Sequence, residues 1–294
     1  NKWDRRKKIE IYEDLKKINN KVVPLFHPEL IVNENYPIFP LSGVSNRQTI
    51  YCNENGYYSI YQSDRYGFNN PDGEWDQKEI EYLLVGDSFT KGACVNRPND
   101  ISSVLRNLSN KSVLNLGMGG NGPLIEYASL REYLNTNVKK VLWIYYEAND
   151  LTDLEREKKN NTLMNYLKDL NFTQRLNSKQ NEINDLVIKI IKKEGGNVHK
   201  PSKFNLLNLI KINNIRYAIS PAPAPKPSGD FKKILKLTKE LVKKNNSKLY
   251  FVYLPKFSRY KNNHKDPYFN LVKNIVTELE IPFINIHEEV FEKE

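Results

Sequence analysis

The chain of 294 residues is poor in sulfur, with two cysteines, Cys52 and Cys94, and two methionines. The cysteines form no Cys-x-x-Cys pair, so the spacing that builds a structural zinc site is missing and no metal is expected. Two readings of the cysteines stay open. They are two free thiols or, in an oxidising envelope compartment, one disulfide tying the upstream segment to the loop after Ser88. No apolar run approaches the roughly 20 residues that span a bilayer, and no signal peptide is present. The chain opens at Asn1 without a methionine, directly in a helical pattern, WDRRKKIEIYEDLKKI. It reads as a fragment whose N-terminus lies upstream, which leaves room there for a secretion signal or membrane anchor. The net charge of +10 comes without zinc-finger spacing, a helix-turn-helix pattern or an RNA-binding aromatic motif. Lysine-rich stretches such as KKILKLTKELVKKNNSK are therefore read as solvated helix faces, and nucleic acid is not an expected partner.

What is present is a change of rhythm near residue 78. Residues 1–78 are irregular, rich in tyrosine, proline and glycine, and read as a loop-rich, partly β extension that packs on a larger core. From 79 to 294 short apolar runs alternate with helical patterns. EYLLV (81–85), SVLNLG (112–117), KVLWIYY (140–146), KLYFVYLP (248–255) and PFINI (282–286) are predicted strands. Helices are predicted near 98–108, 123–134, 230–244 and 267–279. Continuously apolar strands alternating with helices indicate a parallel sheet covered on both faces. The expected fold is α/β, a three-layer α/β/α sandwich with a flavodoxin-like five-stranded sheet. A helical insertion over about 151–228 follows the third strand and includes part of a proline-rich connector, SPAPAPKPSG (220–229).

In such sheets ligands bind outside the carboxyl ends of the strands. Three strand ends carry polar signatures: Gly86-Asp87-Ser88-Phe89-Thr90, then Gly117-Met118-Gly119-Gly120-Asn121-Gly122, then Glu147-Ala148-Asn149-Asp150. Singly, each is a helix cap or turn. Together they place a hydroxyl, a glycine-rich loop offering backbone N–H groups and a side-chain amide on one rim. Those are the parts needed for acyl transfer.

GDSFT, NLGMGG and AND, in that order on successive strand ends, resemble the first three sequence blocks of the SGNH, or GDSL-type, hydrolase superfamily. The upstream SDRYGFNNP resembles a segment preceding the GDS block in envelope-associated members. The resemblance implies a serine hydrolase without a cofactor. Ser88 matches the nucleophile, with its own N–H as one oxyanion donor. Gly120 matches a second backbone donor and Asn149 the side-chain donor, while Asp87 is structural. The implied substrate is a small-molecule or glycan ester, with O-acylated envelope glycans or lipid esters as classes, and the implied location is the cell envelope or periplasm. Ester hydrolysis and O-acyl transfer to a sugar hydroxyl are both open.

Two departures matter. The third block usually reads Gly-x-Asn-Asp, and here Glu147 holds the glycine position, where it is expected to reshape the pocket or select substrate. The family takes its Asp and His from an Asp-x-x-His block after the last strand, and no such block occurs here. Of the histidines His27, His199, His264 and His287, only His287 directly follows the last predicted strand; each also reads as a surface or packing residue. Truncation past Glu294 is the expected account, the alternative being a non-catalytic SGNH-fold binding or accessory module of the envelope. Tyrosines 57, 58, 61, 66, 145 and 146 read mostly as packing residues, with a carbohydrate platform as the other reading. A nucleotide-binding domain fits less well: GMGGNGP lacks Gly-x-Gly-x-x-Gly spacing, and no Walker A lysine exists.

Overall fold

The computed structural model describes residues 3–134, 137–198, 225–257, 259–260 and 266–292. Helix α1 (Lys8–Ile18) opens the N-terminal segment. Three short strands follow: β1 (Val22–Pro24), β2 (Gln48–Ile50) and β3 (Ile60–Gln62). β1 pairs parallel with β2, and β2 antiparallel with β3. Ile11, Val22 and Ile50 close a small core beneath this sheet. The SDRYGFNNP stretch adopts neither helix nor strand and organises itself around one buried carboxylate. Asp64 accepts the N–H groups of Tyr66 and Phe68, each at 2.9 Å, and Asn70 Nδ2 and Trp75 Nε1, each at 2.8 Å. Burial raises the Asp64 pKa, and these four donors offset part of that cost.

The main sheet is built of β4 (Ile80–Gly86), β5 (Val113–Asn115), β6 (Val138–Tyr146), β7 (Lys248–Leu254) and β8 (Phe283–Asn285). All its pairings are parallel, in the order β5-β4-β6-β7-β8, so the second strand lies outside the first, as in flavodoxin. Each predicted strand is present, with no end displaced by more than two residues. The connecting helices are α2 (Ser88–Lys91), α3 (Ile101–Ser109), α4 (Pro123–Tyr133), α5 (Asp150–Glu157), α6 (Asn161–Lys168), α7 (Gln180–Val198), α8 (Gly229–Lys244) and α9 (Phe269–Glu278).

Alternation along the strands sends neighbours to opposite faces. Leu83, Val85, Val141, Trp143 and Tyr145 join one large core with residues of α4, α8 and α9. Leu84, Val113 and Ile144 pack on the other face with Leu105 of α3. This division follows from topology. Parallel crossovers are right-handed, and the chain moves one way across the sheet from β4 to β5 and the other way thereafter. Hence α3 lies on one face and α4, α8 and α9 on the other.

The N-terminal segment shares the large core. Leu25, Phe26, Ile31, Phe39, Leu41 and Phe68 are buried in the same cluster as the sheet. Of the expected insertion after β6, helices α5, α6 and α7 are described; residues 199–224, with His199 and the start of the proline-rich connector, lie outside the described residues, as does His264. Among the described residues no helix is long and apolar enough to cross a membrane.

Candidate functional site

β4 ends at Gly86, and the chain turns into α2 at once. Asp87 is the N-cap, its carboxylate accepting the Phe89 N–H at 2.8 Å. Burial raises the Asp87 pKa, while the N–H groups of Phe89, Ser88 and Thr90 and the Asn149 amide favour its ionised form. Ser88 is therefore the first residue of α2, half-buried, and among the described residues its Oγ makes no hydrogen bond. The exposed ring of Phe89 lies 4.3 Å from that of Tyr146 at the end of β6.

The loop after β5 crosses this turn. Asn115 Oδ1 accepts the Gly117 N–H at 2.8 Å, and the Met118 N–H reaches Gly86 O at 3.3 Å. Two glycines then meet the N-terminal segment. A Cβ on Gly119 would lie 2.4 Å from His27 Nδ1, and one on Gly120, whose φ is +72°, would lie 2.2 Å from the Glu29 carboxyl carbon. Only glycine permits both the close approach and the positive φ.

The loop after β6 supplies the third group. Asn149 Nδ2 donates to Asp153 Oδ2 at 2.7 Å, and Asn149 Oδ1 is buried without a partner among the described residues. Arg156 Nη2 lies 3.0 Å from Asp153 Oδ1, 3.0 Å from Glu29 Oε2 and 3.0 Å from Gly120 O. A hydrogen bond from Asn149 to Asp153, an ion pair between Asp153 and Arg156 and a hydrogen bond from Arg156 to Gly120 O thus link the two loops. Burial pushes Asp153 up to about 7, against the pull of Arg156. Behind it, Asp150 and Glu126 are fully buried and held well above the usual carboxylate range by desolvation and by neighbouring acids.

Glu147 directly follows β6. Its carboxylate is buried and turned toward the loop after β7, accepting the Lys256 N–H at 2.8 Å and Arg259 Nη2 at 2.6 Å. The glycine position is filled by an acid because a loop brings its own cation. His287 follows β8 as expected, but its Nδ1 lies 2.9 Å from Tyr260 OH and its Nε2 3.1 Å from Glu292. β8 stands three strand spacings from β4, about 14 Å at the usual separation, so His287 belongs to the far edge of the sheet. A tyrosine platform is not formed by Tyr145 or Tyr61, which are buried in the core.

The sequence reading took His27 for a surface or packing residue and passed over Glu29, Asp153, Arg156 and Lys91. His27 Nδ1 lies 3.1 Å from Gly119 O, and burial, with Lys91 and Lys8 nearby, pulls its pKa down to about 4. Lys91, one turn beyond Ser88, is fully buried: Nζ lies 3.2 Å from Met118 Sδ and 4.7 Å from the Tyr61 ring centre. Burial lowers its pKa to about 7. The Ser-x-x-Lys spacing was a usable signal for Lys91, whereas nothing local marks His27. Cys52 and Cys94 are joined by a disulfide, which ties the irregular segment following β2 to the turn after α2. Among the described residues no group of three or more His, Cys, Asp or Glu side chains is arranged to hold a metal ion.

No protein-family model matches the chain, and no curated protein does. A solved structure similar to it is that of a protein assigned to the lipolytic G-D-S-L family from Desulfitobacterium hafniense DCB-2, at 11% identity over 71% of this chain and 79% of that one, with a TM-score of 0.34.

Proposed function

We propose that the protein is a serine hydrolase or acyl transferase of the SGNH type, acting on small-molecule or glycan esters in the cell envelope. In this reading Ser88 Oγ attacks the ester carbonyl. The oxyanion that forms is held by the N–H groups of Ser88 and Gly120 and by the Asn149 amide. Water or a sugar hydroxyl then resolves the acyl-enzyme, and no cofactor takes part. The observation that carries the reading is the link between separate strand ends: Asn149 donates to Asp153, Asp153 pairs with Arg156, and Arg156 donates to Gly120 O, beside the helix that Ser88 begins. A serine at a helix N-terminus gains from the positive end of the dipole as negative charge develops. The Cys52–Cys94 disulfide supports an oxidising compartment.

The second reading, a non-catalytic binding module on the same fold, draws on Ser88 Oγ having no histidine or carboxylate partner among the described residues. The decisive experiment uses the full-length protein. Release of p-nitrophenol from a short acyl ester, with covalent labelling by a fluorophosphonate, both lost in Ser88→Ala, supports catalysis. Full activity in Ser88→Ala, or no labelling of the wild type, rejects it.

A further inference from the structure

We infer that His27 is a positioning residue for the oxyanion donor at Gly120: its Nδ1–H, held on the Gly119 carbonyl, sets the plane of the Gly119–Gly120 peptide and so aims the Gly120 N–H. The inference rests on the serine-hydrolase reading of Ser88.

The argument begins with the peptide bond. A trans peptide is planar, and its C=O and N–H point in opposite directions. The Gly119 carbonyl and the Gly120 N–H belong to the same peptide. Whatever holds the carbonyl therefore sets where the N–H points. His27 Nδ1 lies 3.1 Å from that carbonyl oxygen, bridging 92 positions of sequence. A carbonyl only accepts, so Nδ1 carries the proton and Nε2 keeps its lone pair.

The contact is sterically committed. The His27 ring takes the space of a Gly119 side chain, at 2.4 Å from Nδ1 and 2.5 Å from Cε1, and is itself set against Tyr51 with ring centres 5.9 Å apart. Glycine is the most mobile residue in a backbone, and two in succession would let this peptide swing. The next peptide is held as well, because Arg156 Nη2 donates to Gly120 O at 3.0 Å. Among the described residues the Gly120 N–H itself has no hydrogen-bond partner, as a donor awaiting an anion requires. The N-terminal segment thus reaches across the fold to fix one backbone amide.

The test compares His27→Asn with His27→Gln in the full-length protein. Asn places an amide N–H near the position of Nδ1, whereas Gln places it near Nε2. With a p-nitrophenyl ester, His27→Gln is expected to lose on the order of 10²-fold in kcat with KM within about twofold, the cost of a donor displaced by about 1 Å. His27→Asn is expected to recover most of that loss. In 15N-resolved NMR the Gly120 amide resonance should move in His27→Gln and return in His27→Asn, and wild-type His27 should show a protonated Nδ1. Unchanged kcat in His27→Gln, or an unmoved Gly120 resonance, overturns the inference. Absence of both ester turnover and fluorophosphonate labelling in the wild type defeats the Ser88 reading instead, and the Gly120 resonance then still reports whether His27 holds the peptide.

Discussion

Arg259 Nη2 reaches the buried carboxylate of Glu147 at 2.6 Å, and the side chains are 12% and 0% exposed. The pair joins the end of β6 to the loop after β7. The Tyr253 hydroxyl lies 2.6 Å from the same carboxylate, and the Lys256 N–H donates to it from the loop backbone. Removing one partner of such a pair leaves a charge buried and unpaired. Glu147→Ala is expected to destabilise the fold by about 3–5 kcal/mol. Chemical denaturation measures it, and a loss under about 1 kcal/mol would show that the pair is solvated in the folded protein.

Lys91 gives a pH signature. The unfolded chain holds the lysine proton up to about the ordinary value of 10.5, and burial brings the folded value to about 7. Between those values the unfolded state binds more protons, so stability rises with pH, by up to ~1.4 kcal/mol per unit. Lys91→Met removes this dependence. It should be more stable than wild type at pH 7, with the advantage closing by about pH 10. Urea midpoints of both proteins from pH 6 to 10 test this; parallel curves would contradict it.

Among the described residues Asp64 faces four donors and no cation within hydrogen-bonding distance. Asp64→Asn keeps the shape but turns an NH2 group toward N–H donors. A loss of about 2–4 kcal/mol is expected. Asp72→Asn, which weakens the exposed Arg65–Asp72 pair at 2.7 Å, should cost less than about 1 kcal/mol. Equal effects from the two substitutions would mean that Asp64 is not the hub of its segment.

The Cys52–Cys94 disulfide spans 42 residues of sequence. The loop-entropy relation gives about 4 kcal/mol for a closed loop of that length. The double substitution Cys52→Ser, Cys94→Ser should lower stability by about 2–4 kcal/mol, read from thermal or urea unfolding under non-reducing conditions. Mass spectrometry of the protein prepared without reductant should find both thiols oxidised; two free thiols would remove the covalent tie.

The α/β class, the five strands and the helices between them were legible in the sequence. Runs such as Leu83-Leu84-Val85 carry their own burial, and periodicity is a local property of the chain. The short strands of the N-terminal segment were not, because three residues hold too little pattern to separate strand from loop. The candidate rim was half legible. Ser88, Gly120 and Asn149 sit at predicted strand ends, where topology alone directs attention. Tertiary structure decided the rest. It paired Glu147 with Arg259, left His287 at the far edge of the sheet, and seated His27 and Glu29 on Gly119 and Gly120. Each of these depends on a partner distant in sequence, and a hydrogen bond between distant residues leaves no period or spacing in the chain.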